Sequence, residues 1–269
     1  LKLSYVRVKM GEENKILLRN EFDGIYKLTL NRPRALNALS YDLLLEISNA
    51  LNSIKKNKRI KVLIIDANGP SFCSGHDLKE INSKNDKAGY KKLFSLCSSV
   101  MLAIIKLDIP VIASVHSTAT AAGCQLVATC DLAIASDKAR FATPGVNIGL
   151  FCSTPMVALS RSISKKHSME MLLTGDLIDA LTAKEYGLIN RVVPYRDLNE
   201  TVLEIAKKIL KKSSKTIATG KKAFYEQLEL GVSEAYKFTS EIMTDNMTEY
   251  NAQEGVDAFL QKRSPVWKD

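Results

Sequence analysis

Four apolar runs of strand length, at residues 24–30, 61–67, 110–115 and 131–136, alternate with stretches of helical periodicity. That alternation is the tightest constraint on the fold, because strands separated by helices build an α/β core. Leu43, Leu44, Ile47, Ala50, Leu51 and Ile54 recur at helical spacing behind Ser40, a candidate N-cap, so residues 41–57 read as an amphipathic helix. A second helix is expected at about 90–106 and a third through 126–130. Beyond residue 155 the pattern is almost wholly helical, at 170–173, 182–187, 198–212 and 232–262, with one further strand at 189–193. The expected fold class is α/β, with a core over residues 1–200 and a helical C-terminal region over 201–269.

Composition narrows the function. With 46 % hydrophobic and 25 % charged residues, the chain of 269 reads as a soluble globular protein. No run approaches the roughly 18 apolar residues that span a bilayer. Five cysteines (Cys73, Cys97, Cys124, Cys130, Cys152) form no disulfide framework and no C-x-x-C, which suits a reducing compartment. His76, His116 and His167 lie far apart without carboxylate or cysteine partners at ligand spacing, so no metal is expected. The net charge of +9 comes from short basic bursts at 55–61, 207–215 and 221–222. Such bursts read as solvated helix faces. A nucleic-acid surface is the rival reading, but no interleaved aromatic or recognised motif accompanies it. The chain opens at Leu1 rather than Met, which leaves upstream residues and any targeting segment open.

Two loops carry the candidate chemistry: Phe72-Cys73-Ser74-Gly75-His76-Asp77 and Ala119-Thr120-Ala121-Ala122-Gly123-Cys124-Gln125. Each follows a strand, is built of small residues, and leads towards a helix. Small side chains let backbone N–H groups reach a ligand oxygen, and a helix N-terminus favours negative charge. Either loop alone reads first as tight packing against a neighbouring helix, and only the pair at this spacing shifts the balance. Together they could supply one N–H each to a single oxyanion.

These loops belong to a longer ordered set. The runs Asn31-Arg32-Pro33-Arg34-Ala35-Leu36-Asn37-Ala38-Leu39 and Ser71-Phe72-Cys73-Ser74-Gly75-His76-Asp77-Leu78-Lys79-Glu80 come first. Ala121-Ala122-Gly123-Cys124-Gln125-Leu126, Cys130-Asp131-Leu132-Ala133-Ile134-Ala135 and Ala139-Arg140-Phe141-Ala142-Thr143-Pro144 follow, and Phe259-Leu260-Gln261-Lys262-Arg263-Ser264-Pro265-Val266-Trp267 closes the chain. On these motifs the chain resembles the crotonase (enoyl-CoA hydratase/isomerase) superfamily over residues 17–269, and within it the domain-containing-protein-3 branch. The resemblance implies a ClpP-like spiral of ββα repeats and a helical trimerisation region that also lids the CoA site. It implies a homotrimer or hexamer, acyl-CoA thioesters as substrates with no other cofactor, a place in fatty-acid metabolism, and mitochondrial localisation. The oxyanion donors then map to the backbone of His76 and Ala122. CoA contacts map to Arg34, Ala35, Asp77, Lys79, Phe259 and Lys262, and the +9 charge would attract the phosphate-bearing ligand.

The same resemblance marks two departures. The family's paired hydratase glutamates fall on Gln125 and Gly145. A glutamine exchanges no proton near neutral pH, although its amide can hold a water or a carbonyl. Each lost acid or base group is worth roughly 10²- to 10⁴-fold in rate. The expectation is an acyl-CoA-binding protein with slow or absent hydration and other thioester enolate chemistry open to it. The alternative is a non-catalytic acyl-CoA sensor or partner-binding subunit. Asp137 and Glu170 map outside the acyl pocket, whereas Asn147 and Phe151 to Thr154 either line that pocket or pack.

Overall fold

The computed structural model describes residues 15–84 and 86–268. The elements in chain order are β1 (Leu17–Phe22), β2 (Ile25–Leu30), α1 (Tyr41–Lys56), β3 (Val62–Ala67), α2 (Leu78–Lys84), α3 (Lys87–Ile105), β4 (Val111–Val115) and β5 (Ala119–Thr120). Then come α4 (Ala122–Thr129), β6 (Leu132–Ser136), β7 (Arg140–Ala142), α5 (Pro155–Ser162), α6 (Lys165–Thr174), β8 (Ile178–Asp179) and α7 (Ala180–Tyr186). The chain closes with β9 (Arg191–Val193), α8 (Leu198–Leu210), α9 (Ser214–Gln227), α10 (Val232–Thr248) and α11 (Tyr250–Leu260). The first fourteen residues, and with them part of the loose alternation at the N-terminus, lie outside the described residues.

Among the described residues, six strands form the main sheet in the order β1-β2-β3-β4-β6-β9. Only β1 is antiparallel, joined to β2 through Asp23 and Gly24 at positive φ. The other strands are parallel, so each needs a crossover, and every crossover is helical. Both faces are covered, which explains the continuous apolar strands. Along β3, Leu63 and Ile65 turn into the large core with α1, α3 and α4, while Val62 and Ile64 meet Leu198, Val202 and Ala206 of α8. The boundary expected at 200/201 thus falls inside α8, a helix of the sheet's own core.

Before α1, α2, α4 and α7 the chain makes a second short extended segment. Leu39 bridges His76, Cys73 bridges Ala119, β5 pairs with β7, and β7 with β8. These pairings stack successive repeats into a second layer beyond the C-terminal ends of the main strands, giving the expected ββα spiral. The second layer, and α2, have no counterpart in the sequence reading, because two- and three-residue strands carry too little periodicity to register. Helix α4 starts at Ala122 rather than near 126, and the helix expected over 232–262 breaks at Glu249, whose ψ of 146° is extended.

The expectation of no membrane-spanning run meets one test at α3, and the reading of the basic bursts needs one correction at Lys221. Helix α3 is long and apolar enough on average to cross a membrane. Its Leu93, Cys97, Val100, Met101 and Ile104 are nevertheless buried in the main core. Lys221, grouped above with solvated basic faces, has its side chain only 7 % exposed. Its Nζ donates to the Ile104 and Ile109 carbonyls at 3.1 and 2.9 Å and to Asp131 at 2.7 Å. A burst of like residues says nothing about which one faces inward.

Candidate functional site

The site is built where the post-strand loops run side by side. The Phe72 and Cys73 N–H groups donate to Thr118 O, and the Thr120 N–H donates to Cys73 O at 2.9 Å. On the other flank the Leu39 N–H donates to Gly75 O at 2.7 Å, and the Ser74 N–H to Leu36 O. The Ala121 N–H continues the series to Ala142 O at 2.9 Å. Loop 71–77 is therefore held between loops 32–39 and 117–122.

Asn37 fixes the first of these loops. It is fully buried at φ 53°, a left-handed conformation that asparagine tolerates better than most residues. Its Nδ2 donates to the Asn68 and Ser71 carbonyls at 2.7 Å each, while its Oδ1 accepts from the Arg32 N–H at 2.8 Å. Sequence reasoning missed this residue. The available signal was a short polar side chain inside an otherwise apolar Ala-Leu-Asn-Ala-Leu run.

The two expected N–H donors sit on facing loops. A Cβ placed on Gly75 would lie 3.5 Å from the Ala122 nitrogen and 2.8 Å from the Ala121 Cβ, so only glycine lets the loops close this far. Gly75 also has φ +100°, which side chains rarely adopt. Ala122 is the first residue of α4, where the N–H has no partner within the helix. Among the described residues, neither the His76 nor the Ala122 N–H donates to a protein acceptor. Ala122 lies outside the positive-φ residues; the strain falls on Ala121, at φ 49° and ψ −119°. Ala121→Gly should therefore raise unfolding stability by about 1 kcal/mol in urea titration, and no gain would mean the conformation is unstrained.

The His76 ring is a separate matter. It packs edge-on to Phe94 at 5.2 Å, with neither nitrogen in a hydrogen bond. Burial holds its pKa below the ordinary value; the Leu39 carbonyl, near but outside bonding geometry, and the Glu80 carboxylate oppose this only in part. The ring is thus neutral at neutral pH. Below the ordinary histidine value of 6.5, the unfolded chain takes up a proton that the folded chain resists. This contribution to stability is full above that value and is lost progressively as pH falls from it towards the lowered value of the folded state. His76→Phe keeps the backbone donor and should flatten the fall in denaturation midpoint between about pH 7 and 5. An unchanged slope would contradict a buried neutral ring.

Gln125 lies one turn beyond Ala122 on α4 and is 4 % exposed, with its Oε1 unpaired. Thr143, which follows the Ala142 carbonyl that receives Ala121, is fully buried with its Oγ1 also unpaired. Gly145 is closed in by its own loop. A Cβ there would meet the Leu150 carbonyl oxygen at 2.1 Å and the Cys152 Sγ at 2.9 Å, and the Leu150 N–H donates to Gly145 O. The position is not a truncated slot awaiting a side chain, because backbone and a thiol already fill it. Burial raises the Cys152 thiol's pKa, with the Gly145 backbone opposing, and pushes Cys124 up to about 12, so both are neutral thiols.

The residues expected to hold CoA divide into groups. Arg34 and Ala35 lie on the 3-10 turn Pro33–Ala35 beside the site. Lys79 is exposed on α2. Asp77 has both oxygens engaged: Oδ2 bonds Arg32 at 2.8 Å, and Oδ1 accepts from the Lys79 and Glu80 N–H groups. Burial alone would raise its pKa, but Arg32 and those N–H groups bring it below the usual carboxylate value. Asp77 therefore caps α2 and anchors the loop. Phe259, 82 % exposed, and Lys262 lie at the end of α11, a helix packed on α10. Asp137 accepts from the Tyr195 N–H and Glu170 from the Tyr186 hydroxyl, interactions unconnected with Gln125.

Residues 20–269 match the family model for enoyl-CoA hydratase/isomerase, and the chain belongs to that family. Within it, the similarity is to the domain-containing-protein-3 branch. The Rattus norvegicus enoyl-CoA hydratase domain-containing protein 3, mitochondrial, is 47 % identical over 255 residues, covering 95 % of this chain and 85 % of the rat protein. The crystal structure of the human enoyl coenzyme A hydratase domain-containing protein 3 matches with a TM-score of 0.91 at 46 % identity, over 94 % of this chain and 100 % of that one. An enoyl-CoA hydratase from Mycobacterium smegmatis matches with a TM-score of 0.92 at 46 % identity, over 94 % and 99 %. The fold is thus the crotonase fold. The mitochondrial designation, shared by the Mus musculus, Homo sapiens and Danio rerio proteins, supports the localisation expected from the sequence.

Proposed function

We propose that this protein binds acyl-CoA thioesters and polarises the thioester carbonyl between the N–H groups of His76 and Ala122, without the acid–base pair that rapid hydration requires. The observation that carries this reading is the pair of unpartnered N–H groups on loops held in contact by Gly75. A carbonyl oxygen accepting from both gains negative charge as the α-proton leaves, and the N-terminal end of α4 adds a field of the favourable sign. Hydration needs one group to take a proton from water and another to deliver one to the α-carbon. The Gln125 amide does neither, and Gly145 has no side chain. The unpaired Gln125 Oε1 and Thr143 Oγ1 suit a polar ligand atom or a water.

Reactions that place negative charge on the carbonyl oxygen without a carboxylate pair fit this site: decarboxylation or isomerisation with an external base through the enolate, and thioester hydrolysis through a tetrahedral oxyanion from which the CoA thiolate leaves. The thioester is the substrate, the setting is fatty-acid metabolism, and the reading requires no resident cofactor. Nucleic acid is no part of it.

A homotrimer, or a hexamer of two trimers, fits the same reading. None of the 17 residues of α10 is buried, and Val232, Tyr236 and Met243 stand exposed along it. Such an apolar face is expected to meet another copy of the chain. It would also bring Phe259 and Lys262 of one protomer within reach of a bound CoA. Light scattering giving a monomer mass would exclude it.

The direct test is calorimetric titration with butyryl-CoA, followed by turnover across enoyl-, malonyl- and hydroxyacyl-CoA for the native protein and Ala122→Pro. Proline removes the N–H at a first-turn helix position, and circular dichroism monitors the strained Ala121 junction beside it. Binding with turnover that Ala122→Pro abolishes is the expected result. No binding at high concentration, or turnover indifferent to the variant, would overturn it. A second reading, a non-catalytic acyl-CoA sensor or partner subunit, rests on the closure of Gly145 by Leu150 and Cys152. It predicts binding with no turnover of any thioester in the panel.

A further inference from the structure

Two basic bursts lying about 150 residues apart in the sequence meet in space, at the end of the sheet opposite the candidate site. The site occupies loops that follow the C-terminal ends of the parallel strands. Residues 55–61 precede β3, at its N-terminal end, and α8 runs back along the sheet so that its C-terminal end arrives there too. Gly24, between β1 and β2, marks the junction. A Cβ on it would touch Leu210 at 3.3 Å, the Arg59 carbonyl at 3.5 Å and the Lys61 side chain at 4.0 Å. The face carries exposed lysine and arginine side chains at 55–59 and 207–212. Acidic residues are also present: Glu21, already shared with Arg59 at 3.8 Å, Asp23 and Glu204 nearby in the chain, and Glu254, which accepts from the Val266 N–H at 2.7 Å and is paired with Arg263.

The ends of α1 and α8 account for some of this charge, since cations favour helix C-termini. Lys211 is itself the C-cap of α8, but Lys58, Arg59 and Lys212 lie beyond the caps and are less well accounted for in that way. Nor does the face serve the CoA site, from which it points away. The attraction of a phosphate-bearing substrate expected from the net charge of +9 does not single out this face.

We propose that this face docks the protein on a bilayer rich in anionic phospholipid. Two observations favour a bilayer over a nucleic acid. First, neither segment, 55–61 nor 207–212, contains an aromatic side chain on which the unpaired bases of a single strand could stack. Second, the C-terminal tail brings apolar groups to the edge of the face. The Trp267 Nε1 donates to the Lys211 carbonyl at 2.8 Å, and the neighbouring Val266 is 67 % exposed. Lysines beside tryptophan and an exposed aliphatic residue match the chemistry of a membrane interface, where headgroup phosphates meet the acyl boundary. Docked in this way, the protein keeps its substrate site on the side facing the solvent.

The experiment is co-sedimentation of the full chain with vesicles of phosphatidylcholine alone and of phosphatidylcholine with phosphatidylglycerol, at low and high salt, beside a single-stranded RNA binding assay. The variants are Lys58→Glu/Arg59→Glu/Lys207→Glu/Lys211→Glu, its four-glutamine counterpart, and Val266→Ser, each checked for native circular dichroism. The expected result is sedimentation with the anionic vesicles only, lost at high salt. It should weaken at least roughly a hundredfold in the charge-reversed variant, less with glutamine, and measurably with Val266→Ser. Absence of sedimentation with anionic vesicles, equal sedimentation of native and folded charge variants, or binding to RNA in place of vesicles would each overturn the proposal.

Discussion

Gly123→Ala is expected to destabilise the protein by about 3 kcal/mol and to abolish acyl-CoA binding. Helix propensity alone predicts the opposite sign, because alanine is favoured over glycine by about 1 kcal/mol inside a helix. Packing decides. A Cβ at residue 123 would lie 2.2 Å from the Cys73 carbonyl oxygen and 2.8 Å from its carbonyl carbon. These are backbone atoms, and that same oxygen accepts the Thr120 N–H at 2.9 Å, so it cannot retreat without breaking the pairing of the two loops. The helix must move instead, taking Ala122 away from His76. Urea denaturation and calorimetry of the variant would measure both effects. A variant of native or greater stability that still binds would show that α4 does not press on Cys73.

Lys221→Met should cost about 3–5 kcal/mol, because it leaves a largely buried carboxylate without its cation. Lys221 is 7 % exposed at its side chain, and its three donors are used by Asp131 and the carbonyls of Ile104 and Ile109. Asp131 in turn accepts from the Val111 N–H at 2.7 Å and from the Tyr225 hydroxyl at 2.9 Å. This network ties α9 to the N-terminal ends of β4 and β6, and α9 is the first helix outside the sheet's core. Loosening of the C-terminal helices before the sheet unfolds is the expected signature in hydrogen exchange. A loss below about 1 kcal/mol would mean that water reaches the pair.

The main sheet was legible because its strands are buried on both faces and read as unbroken apolar runs, Val62 to Ile65 most clearly. The two site loops were legible only as a pair: either run of small residues alone fits tight packing, and the two together suggested one N–H each for a single oxygen. What stayed hidden was whatever depends on neighbours in space. Asn37 holds two loops through three hydrogen bonds, yet in the sequence it is one polar residue among many. Lys221 and Lys222 are adjacent, and only the packing of α9 sends the first inward and leaves the second exposed. The fate of Gly145 was equally unreadable. The sequence shows a missing side chain, whereas the structure shows the Leu150 carbonyl and Cys152 thiol in the space that side chain would enter.

That closure shapes the decisive experiment. Replacing both positions with glutamate would force the 145–152 loop to move, so the informative variant is Gln125→Glu alone, at a buried position whose Oε1 is unpaired. The measurement is crotonyl-CoA hydration by the native protein and by Gln125→Glu, beside crotonyl-CoA binding by both. An intact carbonyl-polarising site without its acid–base pair predicts binding by both proteins and hydration near background in the native one. It also predicts a rate rising by roughly 10²-fold in the variant, as one of the two groups is restored. Brisk hydration by the native protein would contradict the account, because a residue other than Gln125 and Gly145 would then have to activate the water.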